Sequence, residues 1–280
     1  MKKVITIQHC KSEQNQMKNV RFYGNKPYKA AVVHGGPGAL GAVAAIAHEL
    51  SKDFGVVEPL QTRDSISELL IELDEVITAH CDMPMTLIGH SWGAWLVFIY
   101  AAKYPQWVKK IILIGSGPFE VHYVSEIAIN RMKHLSDTER VEFDELLKRL
   151  NSDKEIEKDG LLKRLGELVN KSDNYCAFEI GTDKEDCLPV EGDKYSAIWK
   201  EAAVLRETGE LLGLADKINC PVVAIHGEYD PHPIDGVKLP LQNKVNDFKI
   251  YTLSKCGHSP WKEKYAYQKF YKILRKELEE

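Results

Sequence analysis

The chain has 280 residues, 44% of them hydrophobic, and a formal net charge of −4. That length supports one large α/β domain with a modest insertion and a sizeable core. The near-neutral charge excludes the basic footprint of a nucleic-acid binder, and no apolar run reaches the length of a membrane-spanning helix. The opening MKKVITIQHC alternates apolar and polar residues like a strand, unlike the uniform apolar stretch of a secretory leader. The six cysteines, Cys10, Cys81, Cys176, Cys187, Cys220 and Cys256, form no CxxC. Scattered thiols of this kind suit a cytoplasmic protein, with Cys176 and Cys187 read as free thiols rather than as a bridge.

In chain order, Val4 to Gln8 and Val20 to Tyr23 read as strands. Lys29 to Val33 is a short apolar strand that ends at a glycine cluster, and Ala42 to Lys52 reads as a helix. Phe54 to Val57 is a strand. Ser65 to Ala79 carries Ile66, Leu69, Leu70, Leu73, Val76 and Ile77 at the 3,4 spacing of one buried helix face. Met85 to Gly89, Ala94 to Tyr104 and Lys110 to Ile114 continue as strand, helix, strand. The alternation predicts a mostly parallel sheet flanked by helices. From about 119 to 205 no strand pattern appears. Ser136 and Glu139 have capping-box spacing, and Leu146, Leu147, Leu150, Leu161, Leu165 and Leu168 make a helical stripe. This predicts a helical cap over 119–205, inserted into a core made of 1–118 and 206–280. Pro221 to Ile225 and Phe248 to Leu253 restore the strands, and Tyr265 to Leu278 closes the chain as a helix.

The sharpest chemical signal is Gly89-His90-Ser91-Trp92-Gly93 between a strand and a helix. GxSxG arises by chance in on the order of one such chain in ten. Its strand–turn–helix context is what gives it weight: Ser91 would stand on a tight elbow with its hydroxyl presented as a nucleophile. A side chain at 89 or 93 should collide across so sharp a turn. His34-Gly35-Gly36-Pro37-Gly38 follows the Lys29–Val33 strand. Acyl transfer needs two fixed donors for a tetrahedral oxyanion. The backbone N–H groups of Trp92 and Gly36 are the candidates, since Pro37 has none. A phosphate cradle is the rival use of such a loop, and neither GKS nor GxGxxG is present.

A hydroxyl nucleophile also needs a base and an acid to orient it. Asp230 follows the strand PVVAIHG and His258 follows FKIYTL, in the chain order serine, acid, histidine. Glu228 is the acid next in line. His226 and His232 flank Asp230, but there is no HExxH, so no metal is expected. His34 and His90 are expected at the substrate site, bracing the oxyanion loop and lining the elbow.

HGGPG, GHSWG, HGEYD and the late CGH together resemble the proline iminopeptidase branch of the α/β-hydrolase superfamily, over roughly 29–118 and 206–280. The resemblance implies an α/β-hydrolase fold with a variable helical cap, Ser91, Asp230 and His258 as triad, and Gly36 and Trp92 as oxyanion donors. It implies cap acids, Glu191 among the candidates, for a substrate's free amine. His90 stands where that branch usually has glycine, as in esterases and carbon–carbon bond hydrolases. Glu58-Pro59-Leu60-Gln61-Thr62 stands where the branch has DxRGxGxS. The expected activity is therefore serine hydrolysis of a small ester or amide, without cofactor, on a small-molecule or short-peptide substrate. The alternatives are an iminopeptidase-like aminopeptidase and a non-catalytic small-molecule binder of the same fold. No nucleic-acid or membrane partner is expected, and oligomeric state is not legible.

Overall fold

The computed structural model describes residues 19–152, 158–178 and 192–280. The expected strand Val4 to Gln8, Cys10, Cys187 and Glu191 lie outside the described residues. Cys81, Cys176, Cys220 and Cys256 are free thiols.

Seven strands form one sheet: β1 (Val20–Tyr23), β2 (Tyr28–Val33), β3 (Gly55–Pro59), β4 (Met85–His90), β5 (Val108–Ile114), β6 (Val222–Gly227) and β7 (Phe248–Leu253). Their order is β1-β3-β2-β4-β5-β6-β7. Only β1 runs antiparallel to its neighbour. The central strands are apolar on both faces, as a parallel sheet covered on both sides demands. In β2, Ala31 and Val33 enter one core cluster while Ala30 and Val32 enter the other. In β5, Ile111 and Leu113 divide from Ile112 and Ile114 in the same way.

Helices α1 (Ala44–Leu50), α2 (Ile66–His80) and α3 (Trp92–Lys103) connect the first strands. The Ser65 hydroxyl caps α2 by accepting from the Glu68 N–H, so the sequence periodicity and the cap agree on where the helix starts. Eleven of the twelve residues of α3 are buried, which is why its apolar pattern shows no clean stripe.

The insertion holds α4 (Val124–Lys133), α5 (Asp137–Leu150), α6 (Lys158–Asp173) and α7 (Gly192–Glu207). The capping box at Ser136 and Glu139 forms as expected. Leu146, Leu150, Leu161, Leu165 and Leu168 pack with Leu135, Phe143 and Leu162 into a separate small core, with Leu147 against it. The leucine stripe is spent within the segment's own core. The chain then passes a short α8 (Glu210–Gly213), α9 (Asp235–Lys244) and α10 (Tyr267–Glu279). The sequence gives no hint of α9, because Pro231, Pro233, Gly236 and Pro240 read as a loop. Burial of Val237, Pro240 and Leu241 holds it regardless.

Candidate active site

β4 ends at His90 and α3 begins at Trp92, so Ser91 alone makes the turn, at φ 53° and ψ −116°. A non-glycine residue held in that region is strained and persists only where its surroundings fix it. The Ser91 N–H donates to the Ile114 carbonyl of β5 at 2.9 Å. A Cβ at Gly89 would lie 2.2 Å from the Gly93 carbonyl oxygen, the collision across the turn expected from sequence. At Gly93 the obstacle is different: a Cβ would meet the Val33 carbonyl oxygen at 2.4 Å, at the end of β2.

The glycine-rich loop leaves β2 beside β4. A Cβ at Gly35 would lie 2.9 Å from the Ser91 Cβ, so glycine is what lets this backbone pass so close to the serine. Gly36 follows at φ 42°. Trp92 is the first residue of α3, where a backbone N–H has no partner within the helix. Gln61, just past β3, clips the two segments together. Its side-chain amide donates to the His34 carbonyl at 3.0 Å and its Oε1 accepts from the Trp92 indole N–H at 2.7 Å. Its backbone N–H donates to His34 Nε2 at 3.1 Å. Burial lowers the His34 pKa to about 4, so this imidazole stays neutral, as an acceptor at Nε2 must.

Asp230 and His258 lie in the loops after β6 and β7. His258 Nδ1–H donates to Asp230 Oδ2 at 2.9 Å. Oδ1 accepts from the His232 backbone N–H at 2.9 Å and from its ring Nδ1–H at 2.8 Å. Burial alone would raise the Asp230 pKa; the facing histidines His258, His232 and His226 outweigh it and hold the carboxyl well below its usual range. For His258 burial pushes downward, and the charge and hydrogen bond of Asp230, then the charge of Asp173, carry it above the ordinary histidine value. Among the described residues no hydrogen bond joins the Ser91 hydroxyl to His258. His90 brings the two segments together: its Nε2–H donates to the His258 carbonyl at 3.1 Å and its ring lies 4.7 Å from that of His258.

The insertion touches this side directly. The Asp173 carbonyl, at the end of α6, accepts the His258 N–H at 2.7 Å. Its buried carboxylate takes a two-pronged ion pair from Arg131 of α4, at 2.9 and 2.7 Å. Asn130 donates to the Pro231 carbonyl at 3.1 Å, and His134 stacks on Tyr229 at 3.9 Å. Glu263 gathers the N–H groups of Tyr175, Cys176 and Gly257. Beside the elbow, Trp199 of α7 packs edge-on to Trp92 at 6.1 Å.

A sequence profile described as the alpha/beta hydrolase fold matches residues 72–265. The chain belongs to the α/β-hydrolase family. No curated protein sequence matches it significantly. Among solved structures, this α/β-hydrolase is similar to VinJ, at 16% identity over 93% of this chain and 94% of that one, with a TM-score of 0.69. MenH from S. aureus shares 17% identity over 94% and 100%, with a TM-score of 0.62. A proline iminopeptidase from Mycobacterium smegmatis shares 18% over 93% of each chain, with a TM-score of 0.60. At these identities the likeness is one of fold.

Within this α/β-hydrolase, His34 and His90 lie at the loop and the elbow where they were expected. Both are buried and spend ring nitrogens on the protein's own groups, so each braces a loop. Asp230, His232 and His258 bring one donor each within 4.8 Å, but both Nδ1 atoms are engaged with Asp230 in a hydrogen-bonded network. Sequence reasoning passed over Gln61, Arg131, Asp173 and Glu263. Gln61 had one available signal, its place where the resembling branch carries another motif. The other three act through long-range contacts that no local pattern records.

Proposed function

We propose that the chain is a serine hydrolase cleaving a small ester or amide through an acyl-enzyme. Ser91 is the nucleophile, His258 the general base and Asp230 the orienting acid. One observation carries this: a strained, partly exposed serine at the head of α3 directly follows His90, whose ring packs on an imidazole whose Nδ1–H is held by a buried carboxylate. With Nδ1 so held, Nε2 is left as the free base. It takes the Ser91 proton as Oγ attacks the carbonyl carbon. The backbone N–H groups of Gly36 and Trp92 then hold the oxyanion. His258 returns the proton to the leaving group, and a water repeats the sequence in reverse. The catalytic contact between serine and imidazole tightens with substrate in place. None of these steps calls for a cofactor. The helical segment over 119–205 roofs the site and sets substrate choice.

Ester chemistry is favoured over amine-anchored peptidase chemistry. An iminopeptidase-like site needs an acid for the substrate ammonium. Among the described residues, the acids buried against the His258 loop are already committed, Asp230 to His258 and His232, Asp173 to Arg131 and Glu263 to three N–H groups. A non-catalytic binder would have no need of a complete acid–base pair. A panel of acyl p-nitrophenyl esters beside prolyl anilides tests the choice: short acyl esters should be turned over faster. A strong preference for prolyl anilides would restore the iminopeptidase assignment.

A further inference from the structure

Asp230 holds two histidines, one on each carboxylate oxygen. His258 takes Oδ2 and His232 takes Oδ1. An ionised carboxylate can only accept, so both imidazoles must carry their proton on Nδ1. The His232 ring also stacks on the His258 ring, with centroids 4.4 Å apart and planes within 25°. The turn itself is fixed from below: His226 Nε2–H donates to the His232 carbonyl at 2.8 Å. The His232 side chain is nearly enclosed, at 11% exposure.

We propose that His232 is a positioning residue of the acid–base pair, saturating Oδ1 of Asp230 so that Oδ2 alone addresses His258, and backing the His258 ring. This rests on the hydrolase assignment of the same site. Three consequences follow from a second imidazole on one acid, the first of them shared with the His232 backbone N–H, which also donates to Oδ1 at 2.9 Å. The carboxylate cannot rotate to offer the wrong oxygen. Its basicity is shared, so His258 is held less tightly in its protonated form than by a singly bonded acid. The ring stack stops His258 from swinging out between the two proton transfers. The groups facing His232 are Asp230 and His226 from the β6 side, His258 from the β7 loop, and Arg131 with Asp173 from the insertion. Burial dominates this balance and lowers the His232 pKa to about 4. It therefore stays neutral where His258 titrates, and the activity profile should show one ionisation on its acid limb.

The test uses the full chain and p-nitrophenyl acetate. His232→Phe keeps a stacking ring and loses the donor. A hydrogen bond to a charged acceptor is worth about 10- to 100-fold in rate, so kcat should fall by that range with KM nearly unchanged. The acid limb should move to higher pH, because Asp230 becomes more basic. His232→Asn places an amide N–H where Nδ1 stood and should restore most of kcat. In an Asp230→Asn background, His232→Phe should add little further loss. NMR titration of His258, which needs no turnover, should show the same upward shift in His232→Phe. A folded His232→Phe protein with unchanged kcat and unchanged His258 titration would overturn the proposal. So would a His258→Gln protein that stays active while His232→Phe is dead, since His232 would then be the base. If the wild-type protein neither turns over ester nor labels with fluorophosphonate, the hydrolase assignment has failed. The NMR shift then decides the positioning claim alone.

Discussion

The two sides of the candidate site are built differently. The side proposed to hold the oxyanion is fixed within the core: β2, β3 and β4 end together, and Gln61 ties His34 to Trp92 by hydrogen bonds that never leave the sheet's edge. The acid–base side is held jointly. His258 hangs its N–H on Asp173, and Arg131 and Asn130 reach down from α4. A change in the helical insertion should therefore reach the base and leave the oxyanion donors in place. Changes at the sheet's edge should do the reverse.

The largest expected effect tests the acid. Asp230→Asn should lower kcat by about 10³- to 10⁴-fold with the fold retained, since the carboxylate fixes the imidazole tautomer and stabilises the imidazolium. An unchanged rate would move the role to another acid, with Glu228 first in line. Next is Gln61→Leu, which strands the Trp92 indole N–H and the His34 carbonyl. Each buried unpaired group costs about 1–3 kcal/mol. Melting temperature should fall and kcat should drop about tenfold, while the acid limb of the pH profile stays put. A shifted limb would break the separation between the two sides.

Arg131→Gln probes the joint side. His258 is needed as a free base, so activity is lost as pH falls through its pKa. Arg131 pushes that pKa down and Asp173 pushes it up. Removing the guanidinium should raise it, moving the acid limb of kcat/KM to higher pH. Arg131→Gln/Asp173→Asn, which removes both charges, should move it back. Leu165→Ala should have the smallest effect on chemistry. It opens a cavity in the insertion's own core, at about 2–5 kcal/mol of local stability. Hydrogen exchange in α5 and α6 should quicken, and phosphonate labelling of Ser91 should stay within about twofold, because the small probe leaves the roof unused.

The same contrast explains what could be read from sequence. Short apolar runs and the 3,4 spacing of Ile66 to Ile77 report burial on one element, so seven strands and α2 fell close to their observed bounds. GHSWG and HGGPG are local motifs that mark turns at strand ends, although Gly93 and Gly35 are required by Val33 and Ser91 across the sheet. Arg131 meets Asp173 across 42 residues, and Glu263 meets Tyr175 across 88. Neither has a local spacing to betray it. His232 was visible beside Asp230, but its place in the sequence does not show the ring hydrogen bond to the acid. The leucines of the insertion showed their periodicity but not their partner, which is the neighbouring helices of the same segment.

The central claim is that Ser91 is an activated nucleophile. Reaction with a fluorophosphonate, followed by intact mass and peptide mapping, measures this directly. The account predicts a single fast adduct on Ser91, lost in a folded Ser91→Ala protein and slowed strongly by His258→Gln. Full labelling of Ser91→Ala, or an adduct mapped to another serine, would contradict it.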